Sequence, residues 1–535
     1  MKMARGQTRR AMKNAELYNQ NNITDIYSLL CIRAQHTPNE ILFQYKQKKE
    51  LVSVTVKQFW EDVHRLRAYL SRHGLQDGRC ALLGENSYNW ILSYFAVIFC
   101  GAVVIPLDKD QNADELGKLL KRCPTDMLIC SNSYQDIAEA LKQNGIGMTA
   151  LFMNEFPEIL RNEETVQYVR PATNPDQVCT IIFTSGTTGE PKGVMLTQRN
   201  IASNALNALR ALWVSGPSVL TLPLHHTFGF TVGVLSAYIE GYPIFISKSL
   251  RTFADDVKSF GPENLVVVPL YVETMYKTIW KTAREQGNEK RLKRALAWSG
   301  RLRKIGIDLR RMLFRAVQEE FGGNLRHIVC GGAFLDSKYV DGMEAFGVHV
   351  LNGYGITECS PVVAVNRSGN ARRHSVGLPL PGCEVRVRDG EICVRGDGVM
   401  AGYYEDEVAT RQAMEEEWFH TGDLGHFDAD GFLYVTGRKK NLIILSNGEN
   451  VSPEELEEKI MVIDGVEEVV VCQEDQVITA EIYAKDQSGI DEAVEEMNRR
   501  LPPYKRIGRI RYRLSEFERT TSRKIKRYYA PQKGA

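Results

Sequence analysis

The chain has 535 residues, 43% of them hydrophobic and 25% charged, a length that exceeds what one hydrophobic core usually serves and predicts at least two domains. The formal net charge of +1 gives no field over the whole molecule that would attract nucleic acid, so no nucleic-acid partner is expected. Eleven cysteines without a CxxC pair favour reduced thiols in a cytoplasmic protein over a disulfide or zinc framework.

An uncharged run covers residues 90–107 and approaches the length of a membrane span. Gly101 interrupts this run as a helix stop would, and Pro106 ends the β-branched residues that follow. We therefore predict a buried helix that ends near Gly101 and a buried strand at Val103–Ile105, rather than a transmembrane helix.

Short apolar runs alternate with helical patterns, which is typical of an α/β fold with layered, mostly parallel sheets. The runs predicted as strands are Cys80–Leu83, Met127–Ile129, Val178–Phe183, Val219–Leu222, Pro243–Ile246, Leu265–Val268 and His327–Cys330. Short strands and turns after Gly382 predict a small β-rich subdomain at about 383–437. The pattern then changes again, so we expect a large N-terminal domain at 1–437 and a small α+β domain at 438–535.

The segment Ile181–Gly193 runs from an apolar strand into a loop rich in hydroxyls and glycines that ends on a lysine. Such a loop can surround a polyphosphate, because glycines let backbone N–H groups approach an anion while hydroxyls and lysine add hydrogen bonds and charge. It is not the Walker pattern, since Pro191 precedes the lysine, and a solvated turn is the alternative. The candidate phosphate contacts are Thr184, Ser185, Gly186, Thr187, Thr188, Gly189 and Lys192.

A histidine pair and a basic region follow this loop. His225 and His226 come after an apolar run, but two histidines without a neighbouring cysteine or carboxylate argue against a metal site. In residues 277–315, lysine and arginine far outnumber acidic residues and alternate with apolar positions, which predicts basic amphipathic helices. A solvated face is the default interpretation of these helices, and contact with a membrane surface or an acidic partner is the alternative.

Two motifs further along suit a nucleotide. The run 330–333 ends a strand on two glycines, where backbone can approach a flat ligand. In Leu351–Glu358, a tyrosine between glycines offers a ring to a purine, Thr357 offers a hydroxyl to a phosphate, and Glu358 offers a carboxylate to Mg²⁺. The candidates in these motifs are Gly331, Gly332, Ala333, Asn352, Gly353, Tyr354, Gly355, Thr357 and Glu358.

The last motifs add a carboxylate and several cations. Asp423, in the run Trp418–Gly425, has two oxygens that can accept both hydroxyls of a ribose, although an aspartate between glycines is usually a turn residue. Arg438 and Lys440 follow in a Gly-Arg-Lys-Lys sequence. Lys524 lies in a basic segment near the end that has the composition of a solvated tail.

Taken together and in this order, these segments resemble the signature motifs of the acyl-adenylate-forming (AMP-binding) superfamily, which includes acyl-CoA synthetases, peptide-synthetase adenylation domains and luciferases. The resemblance extends over roughly residues 61–527. It implies that Thr184 and Glu358 contact Mg²⁺ and that Tyr354 lies against adenine. It also implies that Asp423 and Arg438 bind the ribose.

The same resemblance implies a catalytic role for three residues. Lys524 is the expected catalytic lysine, which neutralises charge that develops on the α-phosphate and the carboxylate; Thr357 contacts the α-phosphate, and His226 lies near the substrate carboxylate. Two positions depart from the family pattern, because Arg523 replaces the usual glycine and His225 stands where phenylalanine is more common.

Motion and substrate access are further expectations from the family. The C-terminal domain is expected to be mobile and to rotate about Lys440, so that the loop containing Gly448 borders a tunnel for a thiol. Phe230 is a candidate gate to a fatty-acid tunnel, with Gly229 and Gly233 leaving room for the chain.

The implied function is ATP-dependent activation of a carboxylic acid, a medium- or long-chain fatty acid, to an acyl-adenylate, followed by transfer to coenzyme A. ATP, Mg²⁺ and coenzyme A are the expected cofactors. The alternatives are loading of an acyl carrier protein, activation of an aryl, amino or bile acid, and a non-catalytic AMP-binding protein. The resemblance to long-chain enzymes also adds weight to peripheral contact with the inner membrane face through the basic helices.

Overall fold

The structure is a computed structural model that describes residues 18, 23–48, 50–163, 174–184, 191–212, 216–249, 251–445, 449–519, 525 and 527. From residue 26 to 162, the elements are α1 (Ile26–His36), β1 (Ile41–Gln47), β2 (Glu50–Thr55), α2 (Val56–Arg72), β3 (Arg79–Leu83), α3 (Tyr88–Phe99), β4 (Val103–Pro106), α4 (Ala113–Arg122), β5 (Met127–Cys130), α5 (Gln135–Gln143), β6 (Thr149–Phe152) and α6 (Phe156–Asn162).

From residue 178 to 365, they are β7 (Val178–Thr184), β8 (Lys192–Thr197), α7 (Gln198–Leu212), β9 (Ser218–Leu220), a π-helix (Phe228–Ser236), α8 (Ala237–Glu240), β10 (Ile244–Ile246), α9 (Phe253–Phe260), β11 (Asn264–Val267), α10 (Pro269–Glu285), α11 (Glu289–Lys304), α12 (Arg310–Leu313), α13 (Arg315–Glu320), β12 (His327–Cys330), α14 (Ser337–Ala345), β13 (His349–Gly355) and β14 (Val362–Val365).

From residue 378 to 513, they are β15 (Leu378–Pro379), β16 (Cys383–Arg388), β17 (Glu391–Gly396), β18 (Gly402–Tyr403), α15 (Glu407–Ala413), β19 (Met414–Glu415), β20 (Trp418–Phe427), β21 (Leu433–Arg438), β22 (Ile443–Ile444), β23 (Asn450–Val451), α16 (Pro453–Met461), β24 (Val466–Glu474), β25 (Val477–Ala484), α17 (Ile490–Arg499) and β26 (Arg509–Arg513).

Two large sheets form the centre of the described structure. One has nine strands in the order β15-β14-β13-β12-β11-β9-β10-β1-β2, and the other has seven in the order β18-β8-β7-β4-β3-β5-β6. The interior pairs are parallel and the antiparallel pairs lie at the edges, as at β7–β8 and β13–β14. Helices joining parallel strands must cover the sheet faces, so the predicted α/β fold with mostly parallel sheets is confirmed.

Smaller sheets follow along the chain. Strands β16, β17, β20 and β19 pair in that order with β21 beside β20, and β24, β25 and β26 form a separate three-stranded sheet whose apolar core includes residues of α16 and α17. The β-rich segment after Gly382 and the α+β segment near the end therefore have the predicted character. Their boundaries as domains stay a prediction.

The uncharged run at 90–107 folds as predicted. Helix α3 is buried along nearly its whole length, and Ser87 caps it by accepting a hydrogen bond from the backbone N–H of Trp90. The chain then turns at Gly101, where φ is +80°, and enters the buried strand β4. Within the described ranges, no helix is long and apolar enough to cross a bilayer.

The basic region at 277–315 is helical, as predicted, and lies at the surface. It comprises the end of α10, all of α11 and α12, and their connections. Trp298, Ile305 and Met312 expose more than half of their surface among the cations of this region. An exposed apolar set of this size within a basic surface differs from a uniformly polar solvated face.

The eleven cysteines are all free, and each is buried or half-buried. Burial raises the pKa of most of these thiols, as at Cys80 and Cys179, because a thiolate is poorly solvated inside the protein. A buried thiol with a raised pKa is a poor nucleophile.

Helix α7 connects the two large sheets through two asparagines. The Asn204 amide donates to the carbonyls of Cys359 and Val362 at 3.0 and 2.8 Å, and its oxygen accepts from the Val362 N–H at 3.2 Å. Asn200 donates to the carbonyls of Asp397 and Val399 at 2.7 and 2.9 Å. Buried loop backbone needs such partners, so these side chains fix the segments on either side of the cavity described below.

Candidate functional site

A cavity of about 1080 Å³ lies where the two large sheets meet the β-rich segment. Its wall contains residues from β7, β8, β12, β13 and the end of β21, which are distant in sequence. The predicted site residues that line it are Thr184, Lys192, His226, Gly331, Gly332, Gly353, Tyr354, Gly355, Thr357, Glu358, Arg438 and Lys440. A cavity of this size can enclose a nucleotide together with part of a second ligand.

Other predicted residues are placed differently. Ala333, Asn352 and Asp423 are described but do not contribute to this wall. Asn352 holds a buried amide oxygen that has no hydrogen-bond donor among the described residues. The predictions for Ser185, Gly186, Thr187, Thr188, Gly189, Gly448, Arg523 and Lys524 fall outside the described residues.

The predicted phosphate loop connects two antiparallel strands. Thr184, the last residue of β7, pairs with Lys192, the first residue of β8. The Thr184 hydroxyl donates a hydrogen bond to the Lys192 carbonyl at 3.5 Å. The pairing brings a hydroxyl and an ammonium group to the two sides of one hairpin. The Lys192 Nζ lies 4.7 Å from the centre of the Tyr403 ring, a cation–π contact.

Glu358 presents a buried carboxylate to the cavity. Its side chain is 8% exposed, and its Oε1 accepts a hydrogen bond from the Tyr403 hydroxyl at 2.9 Å. Burial raises the pKa of Glu358, because loss of hydration of the charged form outweighs the hydrogen bond from Tyr403 and the charge of Arg438. A cation bound at this carboxylate would offset the lost hydration.

Asp423 is held by two neighbours. The Tyr354 hydroxyl donates to its Oδ2 at 2.6 Å, and the Arg438 Nε donates to its Oδ1 at 2.7 Å. Asp423 and Arg438 are paired residues on β20 and β21, so the sheet itself sets their contact. Burial and the Asp423 charge raise the pKa of Tyr354, which keeps the phenol a neutral donor. Each carboxylate oxygen has lone pairs for a further hydrogen bond, and binding of a ribose by Asp423 stays a prediction.

The predicted hinge residue, Lys440, follows a closely packed backbone segment at Gly437. Gly437 has φ of +153°, and a Cβ built there would come within 2.3 Å of the Ser452 Oγ. Ser452 in turn donates to the Thr436 carbonyl at 2.7 Å. Burial and the Arg438 charge lower the pKa of Lys440. The structure holds one arrangement of this segment, so rotation about Lys440 stays a prediction.

The two neighbouring histidines, His225 and His226, differ in how deeply their rings are buried. The two rings are 4.2 Å apart and both residues line the cavity. His225 is the more buried of the two, and its Nε2 lies 3.6 Å from Asp108 Oδ1. Burial lowers the pKa of His225 to about 4, so the ring is neutral at pH 7 and its contact with Asp108 is not an ion pair.

Three residues are expected at a fatty-acid tunnel. Gly229 lines the cavity, and a Cβ there would meet the Pro223 carbonyl at 2.4 Å, while one at Gly233 would meet the Leu220 side chain at 2.9 Å. The two glycines therefore allow close packing of neighbouring atoms. Phe230 is buried with its ring 3.8 Å from that of Tyr94, and its role as a gate stays a prediction.

Other residues form the apolar part of the cavity wall. Phe228 lines it, and a Cβ at Gly331 would come 3.2 Å from the Phe228 ring, so Gly331 gives that ring its space. Cys330 lies beside Gly331 in the same wall, and burial raises the pKa of its thiol. The remaining apolar lining includes Leu212, Val232, Val329, Val362 and Val365.

Comparison of the sequence with known proteins assigns the family. Residues 32–404 match the profile of the AMP-binding enzyme family, and the chain belongs to that family. The long-chain-fatty-acid–CoA ligase FadD15 of Mycobacterium bovis is 30% identical over 467 residues, which cover 81% of this chain and 77% of that protein. Long chain acyl-CoA synthetase 4 of Arabidopsis thaliana is 28% identical over 471 residues, which cover 77% of this chain and 70% of that protein.

Solved structures share the fold at lower identity. The anthranilate CoA ligase AuaEII in complex with anthranoyl-AMP superposes with a TM-score of 0.78 at 21% identity, covering 94% of this chain and 95% of that one. ATP-bound MatB from Rhodopseudomonas palustris gives a TM-score of 0.76 at 22% identity, covering 93% and 96%. A Mycobacterium tuberculosis fatty acyl CoA synthetase gives 0.69 at 23% identity, covering 94% and 96%.

Sequence reasoning missed Tyr403 and Asp108. Tyr403 lies on a two-residue strand, too short for periodicity to show, and its contacts are with residues far away in the chain. Asp108 follows the strand that Pro106 ends, and the carboxyl end of a parallel strand is a common place for site residues. That positional rule is the one signal that could have found Asp108.

We predict that replacing the buried ring of His225 reduces the sensitivity of stability to acid. Histidine has a pKa near 6.5 in the unfolded chain, whereas burial lowers the pKa of folded His225 to about 4. Between these two values, the unfolded state binds more protons than the folded state. The free energy of unfolding therefore falls as the pH falls through this range. The free energy of unfolding of His225→Phe should therefore drop by about 2 kcal/mol less than that of the parent between pH 7.5 and pH 5. Urea denaturation at both pH values measures the difference.

The exposed His73 provides the control for this comparison. His73→Phe should show the same loss between the two pH values as the parent. An equal loss for His225→Phe and His73→Phe would contradict the assigned burial effect.

Proposed function

We propose that this chain is an adenylate-forming acyl-CoA ligase that activates a medium- or long-chain fatty acid. In the first step, a carboxylate oxygen bonds to the α-phosphorus of ATP and the bond to pyrophosphate breaks. In the second step, the sulfur of coenzyme A bonds to the acyl carbon, and AMP leaves with the electron pair. The thiol proton passes to solvent.

The observation that carries the proposal is that one cavity has both a polar and an apolar lining. The polar lining includes Thr184, Lys192, Glu358 and Arg438, and Arg438 is bonded to Asp423. The apolar lining includes Phe228 and aliphatic side chains that pack as one cluster. A nucleotide with its phosphates suits the polar groups and an alkyl chain suits the apolar cluster.

Each part of ATP has a matching group. Thr184 and Lys192 suit the β- and γ-phosphates, and Thr357 suits the α-phosphate. The free acceptor capacity of Asp423 suits the ribose hydroxyls, and the ring of Tyr354 suits adenine.

The residues present fit a magnesium ion. Among the described residues, no three His, Cys, Asp or Glu side chains cluster to hold a metal by themselves. Mg²⁺ in nucleotide sites needs only one or two protein oxygens besides phosphate and water, and the Glu358 carboxylate and Thr184 hydroxyl supply these. When bound, the ion would neutralise charge on the phosphates.

The proposed carboxylic acid substrate and thiol acceptor are based on related proteins. The relatives named above include a long-chain-fatty-acid–CoA ligase and a long chain acyl-CoA synthetase, which favours a fatty acid and coenzyme A. Gly448 is proposed to border the thiol path, Lys440 to be the hinge and Lys524 to neutralise charge in the first step. An acyl carrier protein as acceptor, or an aryl, amino or bile acid as substrate, are the alternatives within the same chemistry.

Release of pyrophosphate from ATP, measured with a panel of carboxylic acids, tests the proposal. We expect release with medium- or long-chain fatty acids and formation of a thioester when coenzyme A is present. Release without thioester would favour a carrier-protein thiol. No release with any acid would leave a non-catalytic nucleotide-binding protein as the explanation.

Lys524→Ala tests the assignment of the catalytic lysine. We expect adenylation to fall by about 100-fold or more, because a charge that stabilises the transition state is lost. Thioester formation from a preformed acyl-adenylate should change far less, and rapid-quench assays can measure the two half-reactions separately. Lys526→Ala, two positions away, is the control, and equal losses in both half-reactions would remove the assigned role.

The basic helices are proposed to contact an anionic membrane surface. Arg301, Arg303 and Lys304 at the end of α11 are exposed beside the exposed side chains of Trp298 and Ile305. Cations attract anionic lipid headgroups, and tryptophan and isoleucine can insert at the interface. The same surface would allow fatty acid to enter from a bilayer.

Co-sedimentation with vesicles tests this contact. We expect binding to phosphatidylglycerol vesicles that exceeds binding to phosphatidylcholine vesicles, and charge reversal of Arg301, Arg303 and Lys304 to glutamate should weaken it by more than about tenfold. Reversal of the exposed Lys118, Lys121 and Lys142 serves as the control. Equal binding by both variants would show that α11 is an ordinary solvated surface.

A further inference from the structure

A five-residue segment, Met400–Tyr404, joins the two halves of the cavity. Its Met400 N–H donates to the Glu358 carbonyl at 2.8 Å, and its Tyr404 N–H donates to the Gly193 carbonyl at 2.7 Å. Between these contacts, β18 pairs with β8. The segment is thus bonded both to the motif that carries Glu358 and to the strand that begins with Lys192.

The Tyr403 side chain contacts both predicted site charges. Its hydroxyl donates to Glu358 Oε1 at 2.9 Å, and the Lys192 Nζ lies 4.7 Å from the centre of its ring. Tyr403 is 7% exposed, and burial followed by the Glu358 charge raises the pKa of the phenol. The buried phenol hydroxyl is thus positioned as a hydrogen-bond donor to Glu358.

Close packing fixes the position of this tyrosine. The Tyr403 N–H donates to the Thr410 hydroxyl at 2.9 Å. A Cβ at Gly402, where φ is +145°, would come 3.0 Å from the Thr410 methyl group, and one at Gly193 would come 3.1 Å from the Tyr404 Cβ. The two glycines allow the strands to approach, and the phenol ring has little freedom to move.

This arrangement keeps two opposite charges separate. Lys192 and Glu358 are both described and both line the cavity, yet each contacts Tyr403 and no ion pair forms between them. A direct ion pair would neutralise the carboxylate that suits a cation and the ammonium that suits a phosphate. The Tyr403 hydroxyl and ring instead provide a separate partner for each of the two charges.

We propose that Tyr403 is a positioning residue that orients Glu358 for Mg²⁺ and holds Lys192 apart from it for the phosphates. The inference rests on the proposed function, because it concerns the same nucleotide site. The Tyr403 hydroxyl contacts Glu358, the proposed Mg²⁺ ligand, and the Tyr403 ring contacts Lys192, the proposed phosphate ligand. Two substitutions separate these contributions.

Tyr403→Phe removes the hydroxyl and keeps the ring. Because a hydrogen bond to a carboxylate is lost, we expect the Mg²⁺ concentration that half-saturates ATP binding to rise about tenfold. ATP binding in EDTA should stay unchanged, since Lys192 keeps its cation–π contact. Tyr403→Leu removes the ring as well, and it should also weaken ATP binding in EDTA by about threefold to tenfold.

Tyr404→Phe is the matched control. The Tyr404 hydroxyl accepts from Arg79 at 2.9 Å and donates to Glu405 at 3.1 Å, so the variant also loses a phenol with two hydrogen bonds in the same segment. Tyr404→Phe should retain the Mg²⁺ dependence of the parent. Thermal midpoints of all variants report any general loss of folding.

Isothermal titration of ATP at a series of Mg²⁺ concentrations, without any acid, measures these effects independently of turnover. An unchanged Mg²⁺ dependence in Tyr403→Phe, or the same change in Tyr404→Phe, would overturn the proposal for Tyr403. In either case, pyrophosphate release by the parent would still support the proposed function. A parent protein that does not bind ATP would overturn both.

Discussion

The site depends on the fixed separation of two sheets that share no strand among the described residues. One sheet carries Thr184 and Lys192, and the other carries Tyr354 and leads into Glu358. The segment Met400–Tyr404 is bonded to both sides. The asparagines of α7 add bonds to the same two regions, so small displacements of one sheet would have to break several buried hydrogen bonds.

This constraint matters because the chemistry proposed here requires positioning of charges rather than a protein nucleophile. The phosphates, the metal and the carboxylate must meet with little reorganisation, and preorganised groups in a poorly solvated cavity provide that. Glu358 is held by one neutral donor and Asp423 by a neutral donor and a cation. In both cases, the protein fixes the carboxylate and leaves acceptor capacity for a ligand.

Much of this architecture was predictable from local sequence. The helix and strand at 90–107 follow from an apolar run interrupted by Gly101 and ended by Pro106, because local backbone chemistry decides both stops. The nucleotide motifs were found because glycine, hydroxyl and carboxylate occur at short spacings. The structure then brings Thr184, Tyr354 and Arg438 to one cavity, although no local rule predicts their proximity.

Local sequence is less informative where packing decides the role of a residue. At Gly229 and Gly233, neighbouring atoms fill the space that a side chain would take. Phe230 packs into the apolar core. Tyr403 could not be found because its importance comes from two contacts with distant residues, and a two-residue strand has no periodic pattern.

Cys330 places a thiol of the protein itself in the cavity wall. Under the proposed function the cavity would hold an activated acyl group, and a thiolate in its wall would compete with the intended acceptor. Burial keeps Cys330 protonated, so it is a poor nucleophile even when it is near the activated acyl group. An incoming thiol with an ordinary pKa is a better nucleophile, and the buried cysteine is protected from self-acylation by the same apolar surroundings that favour an alkyl chain.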